Sequence, residues 1–280
     1  MGRIALLANP ESGSGEADRV ERLLRDRGAA VTRFGLDEAI GAAVASDPQR
    51  VVVAGGDGSV GCAAEAAARA RVPLAVLPVG TANDFARAMG IPLDPAEAAE
   101  LAVRGRRTER LDLGAFDGRP FVNAASAGLS PVAARKAHGL KRILGPLAYA
   151  VGALRAGLTA EPVRCRVRCD GAKVFGGRAW QVTVACTGAF GGGAAVEADP
   201  RDGVLDVVVI EATSRARLAI HAYGVRAGRI ERHAGVVTGA GRRVEVDTGR
   251  RTDFNVDGEL VDADQVRCTV EAQAFELVVG

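Results

Sequence analysis

Three short glycine-rich turns hold the residue types that grip phosphate: Asn9-Pro10-Glu11-Ser12-Gly13-Ser14-Gly15, Gly55-Gly56-Asp57-Gly58-Ser59 and Gly80-Thr81-Ala82-Asn83-Asp84. Glycine has no side chain to hold the backbone away, so its amides can approach an anion closely. Asp57 and Asp84 add carboxylates suited to holding Mg2+ against the charge of a nucleotide. A single turn of this kind is more often a strand-to-helix connection that needs glycine for geometry alone. Three of them, each following an apolar run, reverse that balance. In an open α/β sheet they fall beyond the carboxyl ends of the strands, where helix N-termini favour an anion.

Several familiar phosphate and nucleophile motifs are absent. No Gly-Lys-Ser/Thr occurs, so the chain lacks the lysine of a P-loop. Gly13-Ser14-Gly15 followed by Asp18 fails the dinucleotide pattern G-x-G-x-x-G. Asp57, two residues before Ser59, fails the nucleophile elbow G-x-S-x-G.

The elements that must position these turns follow from hydrophobic periodicity. Apolar runs at 3–8, 30–34, 51–54 and 74–77 alternate with helical patterns at 16–27, 37–45, 60–70, 82–89 and 95–103. Such alternation predicts βαβ units and a doubly wound α/β domain over 1–112. Beyond it the pattern changes to β-rich segments punctuated by Asp-Gly at 117, 170, 202 and 257, a dipeptide favoured in tight hairpins. Strands at 163–169, 172–175, 180–186, 204–211, 244–247 and 266–271 predict a mostly antiparallel β-sandwich domain over 113–280, its last residues returning to the first domain. Helical insertions are expected at 132–158 and 214–227.

Composition bounds the rest. The 280 residues are 48% hydrophobic and 25% charged, an ordinary globular balance that excludes collagen-like and disordered classes. A net charge of +2 makes no strong overall claim on nucleic acid, and none is expected as a partner. Only three of the 36 basic residues are lysine, an arginine excess ascribed to genomic base composition. Five cysteines without a C-x-x-C argue against a disulfide framework or a zinc site and fit a reducing cytoplasm. No segment is long and apolar enough for a transmembrane span, because the run at 144–158 is broken by Gly145, Pro146, Gly152 and Arg155.

The three turns, taken with their flanks, resemble the diacylglycerol kinase catalytic family, and within it the bacterial soluble lipid-kinase branch. The segment Leu77-Pro-Val-Gly-Thr-Ala-Asn-Asp-Phe-Ala-Arg87 is similar to that family's L-P-x-G-T-x-N-D-F-A-R signature. The other two resemble N-P-x-S-G-x-G and G-G-D-G-T, in the same order. Later landmarks at 191–193, 198–206 and 255–259 extend the likeness over nearly the whole chain.

The resemblance implies transfer of the γ-phosphoryl group of ATP, with Mg2+, to a lipid hydroxyl, the nucleotide lying in the first domain and the acceptor in a cleft between the two. It implies that Asn9, Pro10, Ser12, Gly13, Gly15, Gly55, Gly56, Asp57, Gly58, Ser59 and Gly61 cradle the nucleotide. Thr81 contacts it, Asn83 and Asp84 shape the floor, and Asp57 serves the catalytic Mg2+. Asp199, Asp202 and the carbonyl of Val204 resemble a second, structural Mg2+ site, though an Asp-Pro-Arg-Asp loop bathed in solvent reads the same way. Glu259 is the chosen general base and Asp257 its competitor, although Asp257-Gly258 also reads as a plain hairpin turn. The implied partners are a lipid at a membrane surface, where 132–158 offers basic residues beside an apolar run that reads equally as a helix packed on its own domain, and a second copy in a homodimer.

Departures from the family pattern occur in both domains, and the last two lie near the acceptor side. Ser59 replaces threonine and keeps the hydroxyl. No threonine follows the second strand near Arg33 and Phe34, Val196 stands where proline is usual, and Cys186-Thr187-Gly188 replaces Asn-Gly. Two rival readings stay open: an NAD kinase, which shares Gly-Gly-Asp-Gly, and a nucleotide-binding regulatory module that has lost catalysis.

Overall fold

In the computed structural model the described residues are 2–8, 14–36, 41, 45–129, 161–190, 194–213 and 233–280. The first glycine-rich turn at 9–13, the landmark at 191–193 and the helical insertions at 132–158 and 214–227 fall largely or wholly outside them, as does most of the helix expected at 37–45. The chain divides into a unit of Met1–Leu113 with Glu271–Gly280, and a unit of Gly114–Val270.

The first unit is built on four parallel strands, β1 (Arg3–Ala8), β2 (Ala30–Gly35), β3 (Arg50–Gly55) and β4 (Leu74–Pro78), in the order β2-β1-β3-β4. The chain's final strand adds beside β4 through Leu277 and Leu74. Ile4, Leu6, Val52, Ala75 and Leu77 point to one face, where they pack with Val20 and Leu24 of α1 (Ser14–Asp26) and Ala98 and Ala102 of the helix Pro95–Arg104. Leu7, Val53 and Val76, one step along each strand, are buried on the other face, where α2 (Asp57–Ala70) lies against β3 and β4. Burial on both faces is why β1, β3 and β4 read as unbroken apolar runs, whereas β2, at the end of the order, is exposed to half-buried along its length.

Two helix starts differ from expectation, and both differences shape the candidate site. The periodic apolar residues of α2 begin at Val60, yet the helix begins at Asp57, with Gly56 as its extended N-cap. The helix expected from residue 82 begins at Asp84 as α3 (Asp84–Ala88), because Asn83 sits in the left-handed region at φ 52°. Helix α4 (Pro95–Arg104) follows rule: Asp94 caps it by accepting the amides of Ala96 at 2.8 Å and Glu97 at 3.0 Å.

The second unit is an antiparallel β structure. Hairpins join β5 (Arg107–Phe116) to β6 (Arg119–Phe121), β8 (Val163–Cys169) to β9 (Ala172–Ala185), and β14 (Arg243–Val256) to β15 (Glu259–Val279). β7 (Ala124–Gly128) and β8 both lie between β9 and β14, while the short β10 (Ala189–Phe190) and β11 (Ala194–Ala195) pair only with each other and β12 (Leu205–Glu211) continues from β9 to β13 (Val236–Gly241). Phe121, Val167, Val184, Val207, Val246 and Phe254 belong to a common buried core. Strands expected as short pieces at 172–175 and 180–186 form one strand, and those at 244–247 and 266–271 are parts of much longer ones.

Three of this unit's four Asp-Gly pairs form two-residue hairpins with both residues at positive φ: Asp117-Gly118, Asp170-Gly171 and Asp257-Gly258. The fourth, Asp202-Gly203, is no hairpin and lies in the loop that leads into β12. In all three hairpins the aspartate also accepts backbone amides from a neighbouring segment. Asp117 takes Arg267, and Asp170 takes Arg242 and Arg243.

Candidate nucleotide and acceptor sites

In the first unit, the turns after β3 and β4 lie against each other at the carboxyl ends of their strands. A methyl group added to Gly80 would come within 2.5 Å of Gly56 Cα and 2.8 Å of Asn83 Oδ1, and one added to Gly55 would strike Ser59 Oγ at 2.6 Å. Glycine at 80 is thus required by the approach of the two turns, and glycine at 55 by the closeness of Ser59 within its own turn. The Val79 amide donates to the Gly55 carbonyl at 3.2 Å, tying the second turn to the first.

Side chains complete the clasp. Asn83 accepts the Gly80 amide on Oδ1 at 3.0 Å and donates from Nδ2 to the Gly80 carbonyl at 2.9 Å, so its side chain closes its own turn. Asp57 accepts the Phe85 amide on Oδ1 at 2.8 Å, which links the start of α2 to the start of α3. The starts of the two helices are thereby tied together beyond the ends of β3 and β4, the place where an open α/β sheet receives anions. Asp84 is buried and Thr81 exposed, whereas Gly61 lies buried in the second turn of α2. Gly15 is exposed in the first turn of α1.

In the second unit, the Asp257 carboxylate accepts three successive backbone amides: Val122 at 2.7 Å on one oxygen, and Asn123 and Ala124 at 3.0 Å each on the other. The Asp257 amide donates back to the Ala124 carbonyl. This is the same device seen at Asp117 and Asp170, with one more amide. Glu259, the first residue of β15, is exposed and ion-paired with Arg119 of β6. Arg119 escaped sequence reasoning because it lies 140 residues away and carries no motif.

Asp199 and Asp202 share the loop before β12. The Asp199 carboxylate lies 3.3 Å from Arg201, and Asp202 Oδ1 accepts the Val204 amide at 3.1 Å, so this loop closes partly on itself. Among the described residues no three His, Cys, Asp or Glu side chains gather as a metal cage. No helix among them is long and apolar enough to cross a membrane.

An open parallel α/β unit with an amide-rich edge, followed in sequence by an antiparallel β unit, is the class this chain defines. Residues 3–116 match the diacylglycerol kinase catalytic domain, and residues 123–279 match the YegS C-terminal NAD kinase beta sandwich-like domain. A diacylglycerol kinase of Mycobacterium tuberculosis strain H37Rv is 30% identical over 236 residues, covering 78% of this chain and 76% of that one. The chain therefore belongs to the diacylglycerol kinase family. A Pseudomonas aeruginosa PAO1 protein named "Probable lipid kinase YegS-like" is 46% identical over 127 residues, a match that spans 44% of this chain and only 39% of that relative's length. The crystal structure of a diacylglycerol kinase from Bacillus anthracis str. Sterne shares the fold, with a TM-score of 0.79 at 21% identity over 100% of this chain and 97% of that one.

Proposed function

We propose that this protein is an ATP-dependent lipid kinase that moves the γ-phosphoryl group of Mg-ATP to the hydroxyl of diacylglycerol or a related lipid. The observation that carries the reading is the contact between the Gly56 and Gly80 turns, clasped by Asp57 and Asn83. It supplies backbone amides to phosphate oxygens without side chains in the way. Phosphoryl transfer asks mainly for positioning and charge neutralisation, which such an edge provides.

The donor set fits magnesium. Mg2+ bound with a nucleotide takes one or two protein carboxylates and fills its remaining positions with phosphate oxygens and water, so no all-protein cage is needed. Asp57 would hold it, and when bound the ion neutralises charge developing on the phosphate oxygens. Gly55, Gly56, Gly58, Ser59, Gly80 and Thr81 would line the nucleotide, with Asn9, Pro10, Ser12, Gly13 and Gly15 of the first motif. Asp199, Asp202 and Val204 offer oxygen-only donors for a second Mg2+.

Glu259 is the proposed base. It is a solvent-facing carboxylate whose partner, Arg119, is itself partly exposed, so the pair can open to an acceptor hydroxyl. Asp257 serves as its anchor: a carboxylate already bound by three amides would have to abandon them to take a proton.

A second reading has one observation in its favour, the match of 123–279 to a domain described as NAD kinase-like. Labelled ATP offered with diacylglycerol, monoacylglycerol, sphingosine and NAD separates the possibilities. Label in a lipid product is the expected result; label in NAD alone, or in nothing, rejects the lipid-kinase reading.

A further inference from the structure

Strand β8 reads Val-Arg-Cys-Arg-Val-Arg-Cys, with its valines and cysteines buried and Arg164, Arg166 and Arg168 exposed on one face. The same face continues onto neighbouring strands through the pairings Arg164 with Arg178 and Arg168 with Lys173 on β9. On the other side it continues to Arg243 of β14 and Arg267 of β15. Seven cations thus stand on four adjacent strands. Glu245 and Asp247 stand among them, and the turn carboxylates Asp117 and Asp170 lie at the rim. The local excess exceeds the net +2 of the entire chain.

Two features set this face apart from an ordinary solvated surface. Arg166 pairs with Asp247 at 2.8 Å and Arg267 lies 3.9 Å from Glu245, but no carboxylate among the described residues pairs with Arg164, Lys173, Arg178 or Arg243. Moreover, Arg164 against Arg178 and Arg168 against Lys173 are like charges directly across a ladder, a placement that weakens a sheet. Toward β14 the pairs are complementary, Arg168 facing Glu245 and Arg166 facing Asp247, so it is the β9 side, where like charges repeat against folding, that points to a ligand of opposite charge.

We infer that this face docks the protein on an anionic phospholipid bilayer. The surface is a sheet, with cations about 4.8 Å apart between strands and roughly 6.6 Å apart along them, a broad array suited to a plane of phosphate headgroups. Guanidinium groups bind phosphate bidentately. A single-stranded nucleic acid is the poorer match, because Phe175 and Trp180, the aromatic residues of β9, are buried and offer no stacking platform. Attraction to the bilayer reaches only about 8 Å at physiological salt, so binding is salt-sensitive. The inference rests on the lipid-kinase reading only for its biological sense, since the docking can be measured without catalysis.

The experiment uses the full chain and a triple variant, R164Q/R168Q/R178Q, at exposed positions outside the proposed nucleotide and base residues. Co-sedimentation is measured with vesicles of pure phosphatidylcholine and with vesicles containing phosphatidylglycerol. The wild type is expected on the phosphatidylglycerol vesicles alone, released by raised salt, and the triple variant to bind roughly 100-fold more weakly while melting at or above the wild-type temperature, since like-charge pairs are relieved. Equal binding by the variant, or equal binding to both vesicle types, overturns the docking surface. So does binding of a labelled single-stranded RNA that the variant loses while vesicle binding persists. Phosphorylation of a water-soluble short-chain diacylglycerol, assayed in parallel, is expected to be the same in both proteins. Its absence alongside intact vesicle binding rejects the kinase reading and leaves the docking in place.

Discussion

The Asp57 carboxylate accepts the backbone amide of Phe85 at 2.8 Å, joining two helix starts that are 28 residues apart in sequence. The bond gives Asp57 a structural duty alongside the proposed metal one, and the two duties separate by substitution. Asparagine keeps an oxygen for the Phe85 amide and loses the charge; alanine loses both. D57N is expected to melt close to wild type and to lose at least about 100-fold in kcat. D57A should lose activity similarly and also about 1–2 kcal/mol of stability, as for a lost helix cap. A D57N protein with near-normal turnover would remove Asp57 from the chemistry.

Asp257 and Glu259 are two residues apart and should respond oppositely. D257A orphans three backbone donors, each worth about 1–3 kcal/mol when buried without a partner, so a large fall in the urea midpoint is expected. E259A removes an exposed ion pair worth about 0–1 kcal/mol and should leave the midpoint nearly unchanged. Its kcat should fall roughly 100- to 10,000-fold, the usual contribution of a general base. Full activity in E259A would exclude it as the base.

Gly80 tests the contact between the turns. A methyl group there meets the Gly56 backbone, which cannot rotate away as a flexible side chain would. G80A is expected to destabilise the first unit by a few kcal/mol or to open the two turns. Gly15 is the control, since a methyl group there meets nothing within 4 Å. G15A should melt at or slightly above the wild-type temperature by helix propensity, and any functional loss should appear as a raised KM for ATP.

What could be read in the sequence follows from how local each signal is. Strands β1, β3 and β4 were legible because burial on both faces leaves apolar runs such as that within Arg50–Gly55. The hairpins at 117, 170 and 257 were legible from two residues each. The start of α2 was hidden because Gly56 and Gly58 are poor helix formers, and tertiary contact outweighs that propensity. The length of β14 was hidden by Thr248-Gly249, where the register slips and Gly249 takes φ 65°. The edge strand β13, Val-Val-Thr-Gly-Ala-Gly, shows no alternation to find. The Asp257 clasp on Val122–Ala124 and the Arg119–Glu259 pair are contacts across more than a hundred residues, which spacing alone does not encode.

The cysteines give a pH dependence whose sign follows from burial. Burial pushes the Cys165 and Cys169 thiols up from an ordinary 9.0 to about 11, helped at Cys169 by Asp170 and Asp206, and moves buried Cys268 in the same direction. The native state then holds protons that the unfolded chain has released, so stability is full below about pH 9 and falls as pH rises toward 11. Urea midpoints at neutral pH and at about pH 10 should show this fall. A C165A/C169A protein should be less stable at neutral pH, through lost packing, yet show a shallower alkaline decline. An unchanged slope in that variant would assign the decline to other groups. The same burial predicts one fast-reacting thiol in the native protein, the half-buried Cys62, with the remaining four reacting only after unfolding.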